Sequence, residues 1–225
     1  MNLRAEGVSK SYFRKTGEAN FFVAVQRTDL TLEEGQVTVL MGRSGSGKTT
    51  LLHMLAGLLQ PSEGKVFLED TDLYALEDRE LSKLRNEKIS VIPQSRSAIE
   101  TLSVRENILL PVSLYGQAPE DADRRAEAWM ERLGILPLAD SRPRELSGGE
   151  LRRMAIARAL VSRPAVILAD EPTGDLDDEN TILVLDVLRE SARAGAAVLL
   201  VTHENDALKY ADVACRMDQG ILRIC

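Results

Sequence analysis

The sequence predicts an α/β fold with a helical sub-domain inserted into its core. Three observations carry this. Short apolar runs alternate with segments of helical period. The run Gln36-Val37-Thr38-Val39-Leu40-Met41 passes through a glycine-rich turn directly into a helix-like stretch. The block from about 95 to 144 carries helical patterning and no strand character. With 225 residues, 44% of them apolar and 28% charged, the chain is long enough for one large domain with its own core and too apolar to be disordered.

Taken in order, 36–41 reads as a buried strand and 42–47 as the glycine turn. The helix 48–59 follows, stopped by Pro61. A Glu63-Gly64 turn opens the strand 65–68, and a charged helix over 77–87 leads to the strand 89–92. Three helical stretches fill the inserted block. The core resumes with a helix over 148–162, a strand over 165–169, a helix over 178–194 and a strand over 197–201. The runs 213–217 and 221–224 form a hairpin across Gln219-Gly220. The expected organisation is one domain over 1–225. Residues 1–94 and 145–225 form its α/β core, and about 95–144 form the helical sub-domain.

Several classes are excluded. No run approaches the ~18 apolar residues of a membrane span, and the best, 194–202, is about half that. The start, Met1-Asn2-Leu3-Arg4-Ala5-Glu6, has no apolar h-region, so no signal peptide is expected. A net charge of −7 speaks against wrapping nucleic acid. Cys215 and Cys225, with only His53 and His203 as histidines, supply neither a zinc quartet nor a disulfide framework. Both cysteines read as reduced.

The chemistry lies in the turns. Gly42-Arg43-Ser44-Gly45-Ser46-Gly47-Lys48-Thr49 fits G-x4-G-K-[ST] in its proper context, after a strand and opening a helix. Glycines let backbone N–H groups curl around phosphates, and the helix start adds partial positive charge. Lys48 is placed to neutralise terminal phosphates and Thr49 to ligate Mg²⁺, with Thr50 completing the nucleotide-binding candidates. The apolar run Val166-Ile167-Leu168-Ala169 ends in Asp170, a candidate for holding Mg²⁺, and Glu171, a candidate for polarising the attacking water. Leu146-Ser147-Gly148-Gly149-Glu150 begins another long helix, so Ser147 and the amides of Gly148 and Gly149 form a second phosphate-binding start. One chain has no need of two cradles for one nucleotide. The second makes sense if it serves a nucleotide held by another subunit.

These motifs, in this order, resemble the nucleotide-binding subunits of ABC transporters over essentially the whole chain. The resemblance implies a P-loop NTPase core with an inserted helical sub-domain and an N-terminal antiparallel β region, with ATP and Mg²⁺ bound. It implies that Gln94 bridges the Mg²⁺ and water site to the membrane partner. It also implies that Asp175 and Asp177 of Gly174-Asp175-Leu176-Asp177 reach across a dimer, and that His203 contacts the terminal phosphate. An aromatic after the first strand stacks on adenine in the family; Tyr12 fits that place, with Phe13, Phe21 and Phe22 as competitors. The partners implied are a second copy of this chain, head to tail, and an integral membrane permease, with no nucleic acid. The location implied is cytoplasmic, on the inner face of the cell membrane.

Within the family, Glu171-Pro172-Thr173-Gly174, the stretch from Thr101 to Pro111 and Leu73-Tyr74-Ala75-Leu76 resemble one branch. It holds the lipoprotein-release, macrolide-export, antimicrobial-peptide and cell-division ATPases. Three departures stand out: Glu150 where glutamine is common, Leu151-Arg152-Arg153 where the branch often has two glutamines before the arginine, and Asp175 in place of asparagine. A DNA-repair or chromosome-organising ATPase would separate its two cradles with long heptad runs, which are absent here. A catalytically idle subunit would not need both Glu171 and His203. A motor driving a non-transport membrane partner, as in cell-division members, shares every motif above.

Overall fold

A computed structural model describes residues 1–13, 21–95, 97–115, 120–174 and 176–225. Asp175 therefore lies outside the described residues. The strands are β1 (Leu3–Phe13), β2 (Phe21–Leu32), β3 (Val37–Met41), β4 (Glu63–Leu68), β5 (Thr71–Asp72), β6 (Ile89–Ile92), β7 (Val166–Asp170), β8 (Ala197–Thr202), β9 (Val213–Asp218) and β10 (Ile221–Ile224). The α-helices are α1 (Lys48–Leu55), α2 (Asp78–Lys88), α3 (Val104–Ser113), α4 (Ala122–Arg132), α5 (Gly148–Leu160) and α6 (Asp178–Arg193).

Two sheets result. An antiparallel one runs β2-β1-β4-β5 and includes the expected N-terminal β region. The central one runs β10-β9-β3-β8-β7-β6 and is parallel from β9 to β6, with β10 added antiparallel as the predicted hairpin. The central strands are buried on both faces, which is why they read as continuous apolar runs rather than alternating ones. Their pleat still sorts the side chains. Ile167, Ala169, Val198 and Leu200 enter a core shared with α3, α4, α5 and α6. Val166, Leu168, Leu199 and Val201 enter a second core shared with α1 and the antiparallel sheet. Each fully buried Leu, Ile or Val contributes about 1.5–3 kcal/mol, so the sheet is the rigid plate on which the turns are mounted.

Three local differences from the sequence reading have physical causes. The first helix ends at Leu55 rather than Leu59 because Gly57 adopts a left-handed φ of +67°. Leu58 N then donates to His53 O at 3.0 Å, Gly57 N donates to Met54 O at 3.2 Å, and the single Tyr74 O–H lies within reach of Met54 O and Leu59 O before Pro61. Glu63-Gly64 belongs to β4 rather than to a turn. Gly64, at φ +82°, crosses so close to Gly7 that a Cβ would sit 2.4 Å from its backbone, where the β1–β4 register shifts. In the inserted block α3 and α4 are regular, but Pro137 and Pro143 confine the remaining helical pattern to single 3-10 turns at Leu136–Leu138 and Pro143–Glu145. Among the described residues no helix is long and apolar enough to cross a membrane.

Candidate nucleotide site

Parallel strands present their carboxyl ends along one edge of a sheet, and ligands of open α/β folds sit there. In this chain β3, β8, β7 and β6 are consecutive neighbours. Their ends deliver, in that order, the Gly42–Gly47 turn, His203, Asp170 with Glu171, and Gln94. Arg43, Ser44, Gly45 and Gly47 of the turn, with Lys48, Thr49, Thr50, Gln94, Asp170, Glu171 and His203, line one cavity of about 900 Å³.

The turn has the shape its glycines permit. Gly47 caps α1 at φ +106°, and a Cβ there would lie 2.2 Å from Ala24 O; at Gly42 it would lie 2.4 Å from Met217 O. Neither position accepts another residue without moving backbone. Arg43, Ser44 and Gly45 stand on the cavity wall, while Ser46 is buried and its Oγ finds no protein partner among the described residues. Lys48 is buried, and its Nζ donates to Gly42 O at 2.7 Å and Arg43 O at 3.1 Å. A cation therefore sits inside a ring of backbone groups at a helix start that has no acidic residue in its first turn.

The facing wall is acidic. Thr49 Oγ1 donates to Asp170 Oδ2 at 2.8 Å. Asp170 is 3% exposed, and burial raises its carboxyl above the ordinary range, with the Thr49 bond pulling the other way and the neighbouring Glu171 charge adding to the rise. Glu171 holds a left-handed φ of +49°, its N–H tied to Val201 O at 2.8 Å. A non-glycine residue pays roughly 1–3 kcal/mol for such a backbone. The strain turns its carboxylate along the strand ends toward His203, whose Nδ1 lies 3.0 Å from both oxygens. That bond and the carboxylate charge raise the His203 pKa above its usual value, although the imidazole is largely exposed.

Tyr12 also lines the cavity, but from within β1 rather than after it, with Lys10 Nζ 5.5 Å above its ring. Of its competitors, Phe22 lines the cavity too, while Phe13 and Phe21 pack edge to face on each other. Sequence reasoning named Phe22 only as a competitor and missed Ala24 beside it on β2, because antiparallel register decides which residues of two long strands face the loop.

The second helix start stands apart from that cavity. Ser147 is exposed, with Gly148 and Gly149 half-buried beside it. Ser147 and Glu150 form a capping box: Ser147 N and Oγ both donate to Glu150 Oε2 at 2.7 Å, and Glu150 N donates back to Ser147 Oγ at 3.3 Å. These bonds hold the Glu150 carboxyl below the ordinary range. Gly149 packs toward Leu176, where a Cβ would lie 3.3 Å from Cδ2. Asp177 caps α6, accepting from Asn180 N and Nδ2, and Asn180 in turn accepts from Arg153. The structure thus brings most sequence-predicted residues to one cavity and leaves Ser147, Gly148, Gly149 and Asp177 at another surface. The arginine contacts of α5 had no sequence signal beyond the departure at Leu151-Arg152-Arg153.

Three comparisons bear on this arrangement. Residues 25–174 match the family described as ABC transporter. The lipoprotein-releasing system ATP-binding protein LolD of Aquifex aeolicus is 36% identical over 97% of this chain and 94% of its own length. The protein of the same name from Colwellia psychrerythraea is 36% identical over 96% of this chain and 83% of its own. Among solved structures, the dimeric structure of MJ0796, a bacterial ABC transporter cassette, superposes with a TM-score of 0.90 at 31% identity, covering 99% and 98% of the two chains. A post-hydrolysis dimer of that cassette bound to ADP and Pi gives 0.89 at 30% identity, with the same coverage.

Proposed function

The chain belongs to the ABC transporter family of ATPases, and on that premise we propose that two copies close head to tail around two ATP molecules and so drive a separate membrane permease. One observation carries the reading. Lys48, Thr49, Asp170, Glu171 and His203 converge on one cavity at neighbouring strand ends, while a second phosphate-ready helix start is exposed elsewhere.

The residues fit the groups the family implies. The turn suits a triphosphate because Gly42 and Gly47 pack backbone to backbone against Met217 and Ala24 and so fix the loop at the uncapped start of α1, and the unpartnered Ser46 Oγ adds a polar group to that loop. Thr49 and Asp170, already hydrogen-bonded to each other, offer hard oxygen donors of the kind Mg²⁺ takes, with Gln94 across the cavity. Among the described residues no group of three or more His, Cys, Asp or Glu could hold a metal. Such an ion would therefore take part of its shell from phosphate oxygens, and its chemistry when bound is neutralisation of phosphate charge.

The chain's own residues divide the remaining work. Lys48 neutralises the terminal phosphates, and the Gly42–Gly47 amides with Arg43, Ser44, Gly45 and Ser46 position them. Thr50 extends the cradle, and Tyr12 supplies a ring for the base. Glu171 polarises the attacking water, a role its strained backbone and near-total burial suit. His203 steadies that carboxylate through Nδ1, which leaves Nε2 for the terminal phosphate. Ser147, Gly148 and Gly149 meet the nucleotide of the other copy, with Asp175 and Asp177 at the same seam. Splitting positioning over two chains makes hydrolysis depend on closure. Residues 1–94 and 145–225 act as the core, and 95–144 carries the motion to a permease of the export or lipoprotein- and peptide-release type. The subunit works peripherally on the inner face of the membrane.

The test is Glu171→Gln. With ATP it should run as a dimer on size exclusion and turn over about 10²–10⁴-fold more slowly than wild type. A monomer at saturating ATP, or undiminished turnover, overturns the reading.

A further inference from the structure

The departure at Leu151-Arg152-Arg153 has a structural counterpart. Arg152 lies one and a half turns into α5, and its two terminal nitrogens reach across to the segment after β6. Nη1 donates to Pro93 O at 2.6 Å and Nη2 to Gln94 O at 2.8 Å. Farther along the helix, Arg158 grips the same segment, donating from Nη1 to Ser97 O at 2.7 Å and from Nη2 to Ser97 Oγ. Arg158 is half-buried where it makes these bonds, and burial lowers its pKa from the ordinary value. Residues 93 and 94 have no ladder partner, because β6 ends at Ile92. Their carbonyls are held by this helix. A planar guanidinium satisfies two consecutive carbonyls at once; a lysine ammonium is a point donor on a flexible stem, and a glutamine has a single NH₂ group.

The two ends of this contact face different places. Gln94 lines the cavity that holds Lys48 and Glu171. Ser147 caps the same α5 five residues before Arg152 and is exposed away from that cavity. Five residues of α-helix form a strut of about 7.5 Å between the Ser147 start and the Gln94 backbone that Arg152 holds. Resting on the head-to-tail reading above, we propose that Arg152 is a positioning residue that couples the two nucleotide sites of the dimer. A shift of Gln94 toward its own nucleotide is passed through Arg152 to the helix start that completes the other site. The element biased by both sites is α5 together with Pro93, Gln94 and Ser97, which its arginines hold.

The experiment uses the full chain and three variants, Arg152→Ala, Arg152→Gln and Arg152→Lys. Nucleotide affinity is read with a fluorescent methylanthraniloyl ATP, and kcat and the Hill coefficient from the ATP dependence of hydrolysis. Arg152→Ala should bind nucleotide within about twofold of wild type, lose about tenfold in kcat, and drop from a Hill coefficient between about 1 and 2 to about 1. Arg152→Lys and Arg152→Gln should recover only part of both losses. Should Arg152→Ala fail to fold, the glutamine variant carries the test. Variants that keep wild-type kcat and Hill coefficient overturn the proposal, as does a loss of nucleotide affinity that accounts for the loss in kcat. A merely structural arginine would lower the melting temperature and leave the Hill coefficient alone. A wild-type Hill coefficient of 1, with hydrolysis still rising faster than protein concentration, overturns the coupling and spares the dimer. Wild-type hydrolysis strictly proportional to protein concentration overturns the dimer itself.

Discussion

The two helix starts that this chain offers to phosphate differ in who satisfies them. At α1 the start has no acidic residue in its first turn, and Gly47 supplies no side-chain cap. Its neighbours are a buried lysine and, across the cavity, a buried aspartate and glutamate. At α5 the start is closed on itself by Ser147 and Glu150 and faces outward. The first is a cradle with its chemistry beside it. The second is a finished helix end, and in the proposed reading it becomes part of a site only against the other chain's nucleotide, so that a single chain supplies one half of each of two sites.

The largest effect available to break this comparison comes from damaging each half separately. Lys48→Ala should abolish ATP binding and hydrolysis by its own homodimer. Ser147→Ala should keep nucleotide binding by the single chain while hydrolysis falls about 10²-fold, as when one oxyanion donor is removed. Mixing the two inactive variants then assembles one site with both defects and one with neither, and activity should return to a fraction of wild type. A mixture as inactive as its parts would place both helix starts at the same nucleotide.

Asp170→Asn sharpens the first half by setting stability against function. Burial raises the Asp170 carboxyl above its usual range, so the ionised form is disfavoured in the folded chain. The sign follows: at neutral pH this charge costs stability, and the cost is relieved as pH falls through the raised pKa. Asparagine removes the charge and still accepts from Thr49. The nucleotide-free variant should melt about 2 °C higher while Mg²⁺-dependent hydrolysis is lost. A lower melting temperature would mean that the carboxylate is repaid by contacts inside the chain and is not waiting for a ligand.

The comparison also explains what was readable in the sequence. The turn before α1 was legible as a strand–turn–helix because glycine, lysine and threonine stand at fixed spacing in G-x4-G-K-[ST] and the apolar runs on either side identify strand and helix. Asp170, Glu171, Gln94 and His203 were legible as strand-end residues, but their meeting depends on the order β3-β8-β7-β6, a long-range property of the sheet. The Glu171 to His203 bond spans 32 positions and the Thr49 to Asp170 bond 121, and no local pattern encodes either. Local conformation hid other features: Gly57 ended a helix that apolar spacing carried on, and Gly64 read as a turn where two strands cross closely. The Arg152 contacts were invisible because their acceptors are carbonyls, which every residue possesses.

The smallest effect separates the two halves by pH. The His203 pKa is raised by Glu171, so that pair stabilises the fold fully below the ordinary histidine value of about 6.5 and is lost as pH rises through the raised pKa. The Glu150 carboxyl is lowered by its bonds from Ser147, so the α5 cap contributes fully above about 4.3 and is lost as pH falls through the lowered pKa. Both groups are solvent-facing and screened, so each limb should move the melting temperature by only about a degree. His203→Gln should flatten the alkaline limb and leave the acid one untouched. Glu150→Gln should do the reverse, and only in part, because Glu106, Asp177 and Asp212 carry lowered carboxyls of their own into the same acid range. If either substitution altered both limbs, the two helix starts would be energetically linked within a single chain, and the separation between a complete cradle and a self-capped one would fail.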